Sequence, residues 1–144
     1  MKCLAVNTAT SITSIAVLDG EKVLHFFSTP EMRNQGNMLI GRIEIALKES
    51  NIGFRDLDLL AAVTGPGSFT GIRVGLAALR GIALASNKPL AGISSFELFA
   101  VPAAADSINV VAVQSWRDEL YFAVFDSNGQ KLMEDANETP AGFA

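Results

Sequence analysis

Cysteine and histidine are nearly missing from this chain: Cys3 and His25 are the only examples among 144 residues. A lone cysteine excludes an internal disulfide and any zinc site built on paired thiolates within the chain. A lone histidine removes the His-x-x-x-His pair on which a mononuclear metallopeptidase is built. In strand surroundings with Val23 and Phe27, His25 reads as a satisfied or solvent-facing strand residue, and Cys3 as a small buried hydrophobe. Charge is scarce too, at 18% of residues against about 25% in ordinary soluble domains. Lysine and arginine number 11 against 15 acidic residues, for a net charge of −4. Without a basic stripe, strong nucleic-acid binding by the chain alone is not expected. No signal-peptide core and no apolar run near the roughly 20 residues of a membrane span is read, so the expectation is a cytoplasmic protein without a membrane partner.

What the chain has in quantity is apolar surface. Hydrophobic residues make up 49% of it, enough to suggest a buried interface in addition to a core. They read as three short strands, a buried one at 2–7, a second at 12–18 and an alternating one at 22–28, with Asp19-Gly20 as a two-residue hairpin signal. A helical period follows over 38–50. There Leu39, Ile40, Ile43, Ala46 and Leu47 make a core stripe, and Met38, Gly41 and Ile45 make a narrower second stripe on the other side. A buried strand at 59–64, a helix from about 70, a strand at 90–93 and a short helix capped by Ser95 and ended near Pro102 come next. Helical crossovers imply parallel strands beside the first. The pattern predicts an α/β lobe of actin-like or ribonuclease-H-like type with a mixed five-stranded sheet over residues 1–105. Strands at 108–113, 120–125 and 131–134, with a turn at Ser115–Asp118 and a helix start at Thr139-Pro140, then read as the start of a second, similar lobe over 106–144. That lobe is either truncated or reduced.

The centre of the chain is Thr64–Ser86. Gly65-Pro66-Gly67 forces a tight turn, and Ser68 or Thr70 can cap the helix behind it. That helix carries two charges, Arg73 and Arg80, and is otherwise small or apolar on every side, so it needs cover on two faces. Gly71 and Gly75, with Val74 and Ala78, are expected to let a facing helix approach. The turn does not match a P-loop, because Ile72 follows Gly71 where a lysine is needed. Nor does Ser68 fit the Gly-x-Ser-x-Gly nucleophile elbow. No catalytic residues and no metal ligands are assigned.

The block Gly65–Gly75, GPGSFTGIRVG, resembles the signature of the TsaB (YeaZ) family, with MKCLAVNTAT before it and AVQSWRDELYFA after it in matching order. The resemblance implies an actin-like fold and a non-catalytic subunit that supports the TsaD transferase, which forms threonylcarbamoyladenosine beside the tRNA anticodon. It further implies TsaE as an associated ATPase, a homodimer when alone and no cofactor. Family members continue for many tens of residues more. Where relatives read Asp-Thr-Ala-Thr this chain has Asn7-Thr8-Ala9-Thr10, and where they read close to Asp-Ala-Arg it has Gln114-Ser115-Trp116. Both positions of a superfamily nucleotide site thus carry amides, which supply no charge to a metal. A nucleotide-dependent kinase or ATPase of the same fold, and a stand-alone dimerisation module, are the alternatives. The partner surface is expected at Met38, Gly41, Ile45, Gly71, Arg73, Val74, Gly75, Ala78 and Arg80.

Overall fold

The computed structural model describes residues 1–30, 35–100, 107–114, 119–133 and 135–138. Three antiparallel strands open the chain: β1 (Lys2–Asn7), β2 (Ile12–Asp19) and β3 (Lys22–Pro30). Gly20 holds φ at 60° between β2 and β3, the left-handed angle that a two-residue hairpin turn requires. β3 runs on to Pro30, a residue tolerated on the edge strand that β3 is. Helix α1 (Gln35–Glu49), strand β4 (Leu59–Gly65), helix α2 (Phe69–Ser86) and strand β5 (Leu90–Ser94) follow.

The sheet order is β3-β2-β1-β4-β5, with β4 parallel to β1 and β5 parallel to β4. This is the mixed five-stranded sheet that the alternation and crossovers predict. Its core follows from two periods meeting. Leu4 and Val6 of β1, Ile15 and Val17 of β2, and Leu60 and Ala62 of β4 are buried under α1's Leu39, Ile43, Ala46 and Leu47 and α2's Leu79. Ile40, predicted in that stripe, is instead 38% exposed; it lies about a quarter-turn off the buried centre of the helix. α1 sits over β2 and β3, α2 over β1, β4 and β5, and the two helices touch along one layer. At the hairpin end, Arg42 lies over the Phe27 ring at 4.7 Å and His25 Nδ1 lies 3.1 Å from a Glu49 carboxylate oxygen. α2 ends where Asn87 turns left-handed at φ 53°, and the Lys88 N–H donates to the Ala83 carbonyl at 3.0 Å.

α2 has 18 residues and is long and apolar enough, by length and composition alone, to cross a membrane, where the sequence pattern predicts no such run. Its Gly71, Gly75 and Leu79 are buried against the rest of the protein, so here it is a layer helix.

Helix α3 (Ser95–Phe99) is capped one residue earlier than expected. Ser94 Oγ accepts the Phe96 N–H at 3.1 Å, and Glu97 accepts the Ser94 N–H at 2.9 Å. This reciprocal box satisfies two orphan donors. Ser95 instead points inward, 0% exposed, and its hydroxyl has no hydrogen-bond partner among the described residues.

The second sheet has the order β6-β7-β8: β6 (Asn109–Gln114), β7 (Leu120–Phe125) and β8 (Ala136–Glu138). The third strand therefore lies beyond the predicted 131–134. Asp126 accepts the N–H groups of Asn128 and Gln130 and closes a tight turn. Lys131 then meets Phe125 in a single bridge before the chain leaves the ladder and returns at Ala136 opposite Phe122. Phe96 reaches across from α3 to Val111, Val113, Ala123 and Phe125, which form a second, smaller core. The predicted lobe boundary at 105–106, the Pro102 helix end, the Ser115–Asp118 turn and the Thr139-Pro140 helix start all lie outside the described residues.

Two substitutions separate these features. Leu79→Ala is expected to lower unfolding free energy by about 2–5 kcal/mol, the range for a buried leucine. Ser95→Ala removes an unpaired buried hydroxyl and is expected to leave stability unchanged or raise it by about 1 kcal/mol. Denaturant midpoints at constant m-value check both.

Candidate partner-docking site

The helix layer closes on Thr8, the residue after β1, which is 1% exposed. Its hydroxyl donates to the Gly71 carbonyl at 2.7 Å. A side chain on Gly71 would land on the Thr8 carbonyl oxygen, one on Gly75 on the Thr8 hydroxyl, and one on Gly67 on the Ala9 carbonyl. The backbone of α2 is thus pressed directly onto the β1–β2 turn. The Ser68 N–H donates to the Ala9 carbonyl at 2.6 Å, and Ser68 Oγ accepts the Gly71 N–H at 3.2 Å as N-cap. Thr70, the alternative cap, is an exposed residue within the first turn. Gly65 holds φ at 104° and Gly67 at 155°, and the Gly65–Pro66 peptide is cis. The turn residues Gly65, Pro66, Gly67 and Ser68 therefore shape the approach to Thr8 and Ala9.

Asn7 braces the other side of this contact. Its Oδ1 accepts the Ala9 N–H at 2.9 Å, and its Nδ2 donates to Thr10 Oγ1 at 3.2 Å. A carboxylate could accept the first bond but could not donate the second. Gln114 is exposed at the end of β6, opposite Leu120. Among the described residues no three of His, Cys, Asp and Glu gather closely enough to hold a metal. Burial pushes the half-buried Cys3 thiol up from its ordinary pKa, which keeps it protonated and a weak nucleophile at neutral pH.

The expected outward placement of Gly71 and Gly75 is corrected by this geometry. Both are buried against Thr8. Their missing side chains serve a close contact inside the protein and leave none for a facing helix. Val74 and Ala78 are half-buried against the main core. Met38 and Ile45 do face outward, 44% and 46% exposed, and a side chain on Gly41 would meet nothing within 4 Å. On α2 the outward stripe is Phe69, Arg73, Ala77, Arg80 and Leu84. Phe69 is 67% and Leu84 87% exposed, and the Arg73 guanidinium covers the Phe69 ring at 3.7 Å. Phe69 and Leu84 escaped the sequence reading, although steps of four, four, three and four from Phe69 trace one helical face. The outward stripes of α1 and α2 belong to one helix layer, in which the exposed Met38, Ile45, Phe69 and Leu84 are interspersed with the charges of Glu44, Lys48, Arg73 and Arg80.

Gly71→Ala is expected to destabilise by roughly 3 kcal/mol or more, because backbone must move to admit it. Gly41→Ala meets open space and is expected to stabilise by roughly 0.5–1 kcal/mol through helix propensity. Thermal unfolding of the two single variants reads the contrast directly.

Residues 31–143 match the family model described as TsaD, tRNA N6-adenosine threonylcarbamoyltransferase. The chain is similar to the Escherichia coli tRNA threonylcarbamoyladenosine biosynthesis protein TsaB, 32% identical over 136 residues, which covers 90% of this chain and 58% of that protein. The protein of the same name from Haemophilus influenzae is 32% identical over 124 residues, covering 83% of this chain and 52% of that protein. The chain therefore spans somewhat over half the length of these relatives. Among solved structures, YeaZ from Pseudomonas aeruginosa superposes with a TM-score of 0.85 at 24% identity, covering 96% of this chain and 68% of that one. A ROK hexokinase from Thermus thermophilus superposes with a TM-score of 0.55 at 17% identity, covering 93% of this chain and 49% of that one, and shares the fold.

Proposed function

The chain belongs to the tRNA N6-adenosine threonylcarbamoyltransferase family, on its TsaB (YeaZ) side, and from that premise we propose that it is a non-catalytic subunit for threonylcarbamoyladenosine formation on tRNA. It docks a TsaD-type transferase through the outer faces of α1 and α2. The single observation that carries this reading is the exposure of Met38, Ile45, Phe69 and Leu84 on one helix layer. An exposed apolar patch with a polar rim marks a protein interface. Here Arg73 and Arg80 lie between Phe69 and Leu84 as polar contacts, and Met38 supplies an adaptable contact. Without the transferase the same faces pair two copies of the chain, and TsaE is the associated ATPase of the assembly. The compartment is the cytoplasm. Residues 1–105 form the docking lobe, and 106–144 begin a second lobe built on the Phe96 contact.

The chain supplies no chemistry of its own in this assembly. The alternative, a kinase or ATPase of the shared fold, needs a carboxylate at the end of β1 to hold a metal. Asn7 stands there and spends both ends of its amide on the turn. The purified protein is therefore expected to hydrolyse ATP no faster than a buffer blank with magnesium; turnover that follows the protein through purification and is lost on Asn7→Ala would overturn this. With net charge −4, it is also expected to bind tRNA only weakly at physiological salt.

Docking is tested by Met38→Glu combined with Ile45→Lys. Two unpaired charges in a desolvated patch cost several kcal/mol, so capture of a TsaD-type transferase is expected to weaken at least ~100-fold. Circular dichroism should not change, because Leu39, Ile43 and Leu47 are untouched. Full retention of both transferase capture and self-association would place the interface elsewhere.

A further inference from the structure

The turn after β7 holds the one asparagine–glycine pair of the chain, Asn128-Gly129. An asparagine carries its amide carbon within reach of the next main-chain nitrogen, and a following glycine has no side chain to block the approach. The seven other asparagines are all followed by a residue with a side chain. Two of them are also tied down: Asn7 spends both ends of its amide, and Asn137 Nδ2 donates to a Glu119 carboxylate oxygen at 3.2 Å. Asn128, Gly129 and Gln130 are exposed, and a side chain on Gly129 would meet nothing within 4 Å. Among the described residues no hydrogen bond holds the Asn128 side-chain amide. Water therefore reaches both reacting atoms.

Asp126 opposes the reaction by gripping the main chain on both sides of the pair. Its Oδ1 accepts the N–H of Asn128 at 2.9 Å and that of Gln130 at 2.8 Å. Its carbonyl accepts the N–H of Gly129 at 3.0 Å, and its own N–H donates to the Gln130 carbonyl at 2.9 Å. Gly129 is held at φ 79° by this closed turn. The nitrogen that would attack is thus committed as a donor and cannot swing onto the amide carbon without opening the turn.

We infer that Asn128 is a self-modification site, an intramolecular deamidation held in check by Asp126. When the turn opens, the Gly129 nitrogen gives up its proton and bonds to Asn128 Cγ; the Cγ–Nδ2 bond breaks, and Nδ2 leaves with a proton as ammonia. One water molecule then opens the five-membered imide. Attack at Cγ leaves an aspartyl residue at 128. Attack at the main-chain carbonyl carbon leaves an isoaspartyl link, with the chain routed through the side chain and lengthened by one carbon. The consequence falls on the smaller core. Just past the turn Lys131 bridges to Phe125, and the Leu132 N–H donates to the Val124 carbonyl at 2.8 Å, while Phe125 packs in the cluster of Phe96. A longer backbone shifts that register; a new carboxylate alone does not.

The test incubates the 144-residue protein at neutral and at mildly alkaline pH and reads its peptides by mass spectrometry, with fragmentation that separates isoaspartyl from aspartyl products. Modification is expected at Asn128 before any other asparagine, and faster at the higher pH because the nitrogen must lose its proton. Asp126→Ala strips two hydrogen bonds from the turn and should speed the reaction at least ~5-fold. Asp126→Asn keeps an acceptor oxygen and should hold the rate within about twofold of the parent. The urea-unfolded chain should react fastest of all. Amide exchange at Gln130 and Leu132 should quicken in the isoaspartyl product and not in Asn128→Asp. Earlier modification at another asparagine would overturn the inference. So would one rate shared by the parent, Asp126→Ala and the unfolded chain, or an Asp126→Asn rate equal to that of Asp126→Ala.

Discussion

The five-stranded sheet and its helix layer depend on how closely one helix can be laid on one turn. The Thr8 hydroxyl meets the Gly71 carbonyl, and both Gly71 and Gly75 have their Cα hydrogens where a side chain would strike Thr8. That contact sets the height of α2 above the sheet, and with it the depth at which Leu79 enters the core among Leu4, Val6 and Leu60. The cap by Ser68 and the positive-φ glycines of the turn follow from the same demand. A chain leaving β4 must double back over Ala9 within a few residues, and only glycine takes those angles at no steric cost.

The tight seat decides what remains outside. Turning the glycine side of α2 inward leaves Phe69, Arg73, Ala77, Arg80 and Leu84 on the outside of the helix layer that also exposes Met38 and Ile45 of α1. The surface is thus a by-product of the internal packing. The Arg73 guanidinium over the Phe69 ring covers an exposed aromatic face with a weakly hydrated cation, an arrangement that suits a surface passing between water and a partner.

The strand alternation, the Asp19-Gly20 turn and the parallel crossover order were legible in the chain because each rests on local chemistry or on a rule of handedness. The orientation of α2 was not. A helix apolar on nearly every side gives no hydrophobic direction, so Gly71 and Gly75 can be assigned to either face until the position of Thr8 is known. Residues 63 and 67 positions apart make that contact, a separation no periodicity reports. The displaced third strand of the second sheet has a similar cause. Asp126 fixes the turn locally, but where the strand resumes depends on pairing with Phe122. Asn7 shows the converse, since the loss of a carboxylate is visible in the sequence while the two bonds the amide makes are visible only in the fold.

Phe96 follows the five-stranded sheet by its helix cap and joins the second sheet by its packing. Its consequence is one of timing. As the polypeptide emerges from the ribosome, the last strand of the five-stranded sheet, ending at Ser94, comes out before any strand of the second sheet. The Ser94–Glu97 box fixes the start of the helix that carries this ring, and Val111, Val113, Ala123 and Phe125, all later in the chain, pack onto it. Chain order and architecture run in the same direction: the smaller core leans on a residue carried by the element that directly follows the completed larger sheet.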